Sequence, residues 1–274
     1  MTTLFEARGA HGERPSLTTG ERIGSVLEYQ LAVNRRTWRG RIFSRFLSPV
    51  FFLLAMGIGL GGLVDDRAGG VDGVPYLHFV VPAIVAVQAM WVAIGESTFP
   101  VLGNIMWDRM YDTMLGTPLR LRDLLAGHVL AVVGHIIMAT LIFVGVAAAF
   151  GGFPTWGAVW CIPVAVLTGL AFTLPVFAFT ARQEQDGGFN ILFRMVVTPL
   201  MLFSGTFFPV AQLPVVLQPI AWVTPLWHGV EAGRALSLGR VDPPWLLLHL
   251  GVLVTFVVVG WVLAERSFTR RLIK

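Results

Sequence analysis

Six long apolar stretches constrain this chain more than any other feature. They cover residues 46–64, 76–99, 124–150, 158–181, 191–208 and 245–264. A helix needs about 20 apolar residues to cross the hydrocarbon of a bilayer, and only a helix or a closed barrel keeps its backbone hydrogen-bonded there. The expected fold is therefore an all-α integral membrane protein of six spans. The fifth stretch is the least clean, because Arg194 must snorkel to the surface. Composition agrees. Charged residues make up 13% of the chain and mean hydropathy is +0.72, whereas a soluble domain carries about 25% charged residues. With 274 residues spent mostly on spans, no length is left for a separate catalytic domain.

Charge sets the orientation. Residues 1–20 are polar and lack the apolar core of a signal peptide, so they read as a flexible tail ahead of a membrane domain at 21–274. Thr18-Thr19-Gly20-Glu21 fits a capping box. Behind it Ile23, Val26, Leu27, Leu31 and Val33 gather on one helical face and Glu21, Ser25 and Glu28 on the other. This predicts an amphipathic interfacial helix over 21–34. Arg35, Arg36, Arg39, Arg41 and Arg45 then crowd the first span, as anchors to anionic headgroups and not to nucleic acid. Six spans place seventeen basic residues on one side of the membrane and three on the other. The excess belongs in the cytoplasm. Both termini of this multi-pass chain are thus expected on the cytoplasmic side of the plasma membrane.

Residues 106–123 form a polar island on that side. At 100° per residue, Met106, Trp107, Met110, Tyr111, Met114 and Leu115 share one half of a helix. Asp108, Arg109, Asp112 and Thr113 share the other. This pattern predicts a short surface helix stopped at Gly116, with Thr117 as N-cap and Pro118 as first residue of the next helix. On the opposite side, residues 205–244 are too long for an ordinary loop and too apolar to lie in water. Gly205, Pro209, Pro214, Pro219 and Pro225 interrupt them. Broken backbone at membrane depth must be buried by protein, so short re-entrant helices are expected between spans five and six. A further pair of spans barely fits the length.

The chemistry available is limited. The one lysine is Lys274, and nothing fits GxxxxGK[ST], so this sequence holds no phosphate-binding loop. Cys161 stands alone, and neither HExxH nor GxSxG occurs; Asp65-Asp66 has no second acidic pair. The chain is not expected to be an enzyme. Polar groups inside spans are Gln88, Glu96, His128 and His135. Such groups cost several kcal/mol and are functional candidates by default. As structural contacts, Glu96 would pair with Arg109 or Arg120, and each histidine would hydrogen-bond a neighbouring helix. Most tryptophans fall near span ends, as an aromatic belt would place them. An ion-coupled transporter or channel using Glu96 and His135 is the competing class, and an intramembrane enzyme with either as base a more distant one.

Two stretches carry a family resemblance. One runs from Asp112-Thr113-Met114-Leu115-Gly116-Thr117-Pro118-Leu119-Arg120 to Asp123 and Gly127. The other is Phe203-Ser204-Gly205-Thr206-Phe207-Phe208-Pro209 with Gln212-Leu213-Pro214 and Val223-Thr224-Pro225-Leu226-Trp227-His228. Together they resemble the ABC-2 type exporter permeases, in the branch of lipooligosaccharide and daunorubicin-type drug exporters. The resemblance implies a dimer, with a second copy or a sibling permease, docked on a separate cytoplasmic ATPase that binds ATP and Mg. It implies an amphipathic substrate: a lipid-linked glycan, a lipooligosaccharide or a hydrophobic drug. By position the island would be the coupling helix, with Asp108, Arg109, Asp112, Thr113, Thr117, Pro118, Arg120 and Asp123 facing the ATPase. His228 and Glu231 lie in the re-entrant stretch with no role assigned.

Overall fold

The computed structural model describes residues 18–35 and 38–273. The tail expected over 1–20 thus lies outside the described residues up to residue 17, as do the side chains of Arg36, Arg39, Arg41 and Arg45. The order is α1 (Thr19–Asn34), α2 (Trp38–Leu53), a π-helical run Leu54–Gly61, α3 (Gly62–Ala68), α4 (Tyr76–Ser97), α5 (Phe99–Met106), α6 (Met110–Leu115) and α7 (Leu121–Ala149). A 3₁₀ turn Trp156–Trp160 leads into α8 (Cys161–Thr180). Then come α9 (Gly187–Ile191), a second π run Leu192–Val197, α10 (Thr198–Phe203), α11 (Gln218–Val223), α12 (Pro225–Leu238) and α13 (Pro243–Leu272).

Among the described residues, five helical stretches are long and apolar enough to cross a membrane: Pro49–Ala68, Tyr76–Met106, Leu121–Ala149, Trp156–Thr180 and Pro243–Leu272. The stretch expected at 191–208 is a shorter apolar helix, Gly187–Phe203. Its π turn has a local cause. Pro199 has no N–H to continue the ladder, and just before it Thr198 donates to the carbonyl of Phe193, five residues back, through its backbone N–H and also through Oγ1 at 2.9 Å. In the first span the wide turn depends on Gly61, where a Cβ would come within 2.9 Å of the Met56 carbonyl oxygen. The second span runs past its expected end. Thr98 breaks the helix, Pro100 restarts it as α5, and it reaches Met106.

α4 is the centre of the bundle, with fifteen of its 22 residues buried. Close helix approach depends on absent side chains, as small-residue packing in membranes requires. A Cβ at Gly169 of α8 would lie 2.5 Å from Ile136 of α7, and one at Gly260 of α13 would lie 2.8 Å from Leu174 and Pro175 of α8. Polar contacts mark the two ends. At one, Thr180 donates to Ser97 O at 2.8 Å, Arg122 pairs with Glu265, and Arg182 meets Ser267. At the other, His78 meets Gly151 O at 3.0 Å and Thr155 donates to Ser237 O at 2.7 Å. The first end, which also receives α1, gathers every described segment of the basic side; we call it the basic end.

At the far end, residues 205–244 fold into a 3₁₀ turn, α11 and α12. α12 has 14 residues, too few to cross, so the chain gains no extra pair of spans here. Its anchor is Arg234, 6% exposed. The guanidinium donates to Phe79 O at 3.2 Å, Gly205 O at 2.8 Å and Glu231 at 2.5 Å, and lies over the Phe79 ring at 3.8 Å. One side chain thereby ties α12 to α4 and to the turn at Gly205, whose φ of +74° favours glycine. Removing one partner of such a buried set strands the others. Arg234→Met should destabilise the fold by about 3 kcal/mol, seen as a lower thermal midpoint in detergent, and Glu231→Gln by less.

Candidate coupling surface at the basic end

α1 starts as its sequence dictates. The Thr18 amide and hydroxyl donate to Glu21 Oε2 at 2.7 and 2.9 Å, and the Glu21 amide donates back to Thr18 Oγ1 at 3.3 Å. These two donors hold the Glu21 carboxyl below the usual carboxylate range. Of its apolar face, Val26 is buried while Leu31 and Val33 stay exposed. Val26 sits on Gly127 of α7. A Cβ at Gly127 would come 2.6 Å from Val26 and 3.0 Å from Ile23 O, so the two helices meet backbone to backbone. Beside this contact Arg22 Nε and Asp123 Oδ2 are 2.7 Å apart, with side chains 14% and 5% exposed.

Asp123 therefore does not lie on the exposed surface where the sequence reading sets it. It is buried, ion-paired to α1, and also accepts from the Arg120 amide at 3.2 Å. That contact moves the start of α7. Arg120 is the N-cap and Leu121 the first residue, in place of Thr117 and Pro118. Thr117 Oγ1 instead donates to Met114 O at 2.6 Å and closes the turn. Gly116 ends α6 with φ of −70°, without the left-handed conformation.

The island is also not one helix. Residues 107–109 form a break, and Arg109 takes a left-handed φ of +46°. Trp107, on the apolar half of the expected helix, is 66% exposed. Tyr111 is the anchor instead. It is 2% exposed, and its hydroxyl donates to His128 Nδ1 at 2.6 Å. Burial pushes the phenol above its usual range, so the proton stays on oxygen, while the Asn104 side chain also hydrogen-bonds it. Gln30 of α1 reaches the same His128 nitrogen at 3.4 Å. The Tyr111 ring packs on Phe268 of α13, and His128 on Phe177 of α8. Asp108, Arg109, Asp112, Thr113, Thr117, Pro118 and Arg120 remain exposed. Island, α1 and the start of α7 thus form one braced body with a polar outer surface.

Of the polar residues within spans, Glu96 and His135 come together at 3.3 Å. Among the described residues His135, and not Arg109 or Arg120, lies within ion-pair distance of Glu96. The pair borders a cavity of about 360 Å³ shared with Tyr29, Asn34, Asn104 and Asp108. Gln88 is half-buried on α4 and does not line it. At the far end Gly205 and Pro225 are buried, Pro209 half-buried and Pro214 exposed. A larger cavity of about 570 Å³ lies there, walled by Trp222, Trp227 and Trp245 with Glu231, His228 and His249. His228 Nε2–H donates to Trp222 O at 2.9 Å, and His249 Nδ1–H donates to His228 Nδ1 at 2.8 Å. Sequence reasoning missed Arg234 and His249. The Glu231/Arg234 spacing of three, within an otherwise apolar helix, was the available signal. Among the described residues no group of three His, Cys, Asp or Glu is placed to hold a metal.

The description "ABC-2 type transporter" fits a family model that matches residues 21–238. The chain belongs to the ABC-2 type transporter family. This ABC-2 chain is 33% identical over 252 residues to nodulation protein J of Rhizobium leguminosarum bv. viciae, covering 89% of it and 95% of that protein. It is 31% identical to nodulation protein J of Rhizobium meliloti, over 84% of this chain and 86% of the relative. The inner membrane transport permease YadH of Escherichia coli K12 is 24% identical over 80% of this chain and 86% of the relative. The chain is thus an ABC transporter permease subunit and an integral membrane protein. The match takes in α1, the island and the far-end segment through Leu238.

Gly127→Val should push α1 away from α7. Amide hydrogen exchange in α1 should then rise at least tenfold while α8 exchanges as before.

Proposed function

We propose that this permease subunit exports an amphipathic substrate using ATP hydrolysed by a separate cytoplasmic ATPase. Six spans cross the plasma membrane with both termini in the cytoplasm, the fifth being Gly187–Phe203 with its π turn, and α11 and α12 are re-entrant from the outer face. A second copy or a sibling permease completes the pathway. ATP and Mg belong to the ATPase, because this sequence has no phosphate-binding loop.

The observation that carries this reading is the braced body at the basic end. Asp108, Arg109, Asp112, Thr113, Thr117, Pro118 and Arg120 are exposed for a partner. Behind them Arg22–Asp123 and Tyr111–His128 bind the island and α1 to the third span. A push on that surface passes into α7 with little lost in slack, and α7 reaches the far end. Coupling needs such an element with two packed positions. The excess of basic residues at that end supports the cytoplasmic assignment. The far-end cavity, walled by indoles and bordered by Glu231, supports a substrate with both apolar and polar parts. Asp112→Arg should abolish export and cut co-purification of the ATPase severalfold, with the permease still folded. Normal export by this variant would contradict the proposal.

The Glu96–His135 pair favours a second reading, an ion-coupled transporter or channel. The two readings differ in one measurement. If ATP drives export, Glu96→Gln keeps ATP-dependent transport within about threefold, and the purified chain alone moves no protons in liposomes. Proton flux through the chain alone, lost in Glu96→Gln, would establish the second reading.

A further inference from the structure

Where α8 and α13 end side by side, three guanidiniums meet with no carboxylate among them. Arg182 lies just past the end of α8, and Arg270 and Arg271 occupy the last turn of α13. Together with Ser267 they line an open recess of about 390 Å³. Arg182 and Arg270 are exposed, and Ser267 is 3% exposed. Arg182 Nε donates to Ser267 Oγ at 3.1 Å. The Ser267 hydroxyl itself donates to no group among the described residues. No ion pair among those residues reaches any of the three arginines, and the one carboxylate of α13, Glu265, is held by Arg122 at 2.5 Å.

The helix dipole favours cations here, yet each C-terminus supplies only about half a negative charge. Two termini leave roughly two of the three positive charges uncompensated. Guanidiniums and a hydroxyl are donors that suit a phosphate, which arginine takes in bidentate fashion. The surroundings select the kind of phosphate. On α13, Val259 and Leu263 are exposed, and the same stripe continues as exposed Arg266 and Arg270. An apolar outer face that turns basic in its last two turns matches acyl chains followed by headgroups. Arg271 also borders the recess holding Arg109 and Asp112, so Arg182 and Arg270 are the pair least engaged by the island.

We propose that this recess binds the phosphodiester headgroup of an anionic phospholipid. Arg182 and Arg270 clamp the phosphate, and the Ser267 hydroxyl adds a third donor. Bound lipid fixes the end of the last span against that of the fourth. This requires only that the chain sits in a membrane, and is independent of the ATP-driven reading.

The test compares thermal midpoints of the purified full chain in detergent with added phosphatidylglycerol or phosphatidylcholine. Phosphatidylglycerol should raise the midpoint of the parent protein and phosphatidylcholine should not. The Arg182→Gln/Arg270→Gln variant should lose most of that rise while matching the parent in phosphatidylcholine. Ser267→Ala should lose part of it and serves if the double variant folds poorly. An undiminished rise in both variants would overturn the proposal. So would a full rise with millimolar inorganic phosphate alone, which would make the recess a soluble-anion site. Loss of ATPase co-purification with an intact lipid response would instead make it a protein-docking surface.

Discussion

The Arg22–Asp123 ion pair is the interaction on which the basic end depends. A buried pair with good geometry is a weak source of stability, since desolvation offsets much of the Coulomb attraction. Its value is in specification. At 2.7 Å it fixes where α1 lies along α7, and Asp123 also accepts from the Arg120 amide, so the same carboxylate defines where α7 begins. Gly127 then lets the backbones close, and Tyr111 and Gln30 converge on His128 from the two other pieces. The island, α1 and the start of α7 are joined through five polar side chains and one missing Cβ.

Arg234 plays the corresponding part at the far end. A segment broken by prolines cannot satisfy its backbone alone. The guanidinium supplies donors to Gly205 O and Phe79 O, so the turn into the segment and the central helix α4 share one brace. Both ends therefore use an arginine, buried at the far end and partly buried at the basic end, as a rivet between elements distant in sequence. Between the two ends the apolar helices pack on one another through glycines at close contacts.

Features set by local chemistry were legible in the residues. The capping box at Thr18 and Glu21, the positions of the apolar stretches and the proline-broken segment all follow from spacing and composition, although two of the helices run seven or eight residues past the expected ends. What escaped depends on distant partners. Thr117-Pro118 looks like a helix start, and loses to Arg120 because Asp123 is held by Arg22, a hundred residues away. A helical wheel drew the island as one helix, since no glycine or asparagine announces the left-handed turn at Arg109. It set Asp123 on the exposed docking surface for the same reason: a carboxylate in a polar stretch reads as solvated until its cation is found. Glu96 of α4 meets His135 of α7, a pairing that spacing within the chain cannot specify.

The central claim is that α1, the island and the head of the third span move as one body when ATP acts. Spin labels at the exposed positions Thr19 and Thr113, in the permease assembled with its ATPase, test this by pulsed electron resonance. The account predicts superimposable distance distributions with and without ATP. A nucleotide-dependent change in that distance would show the island moving independently of α1, and would contradict it.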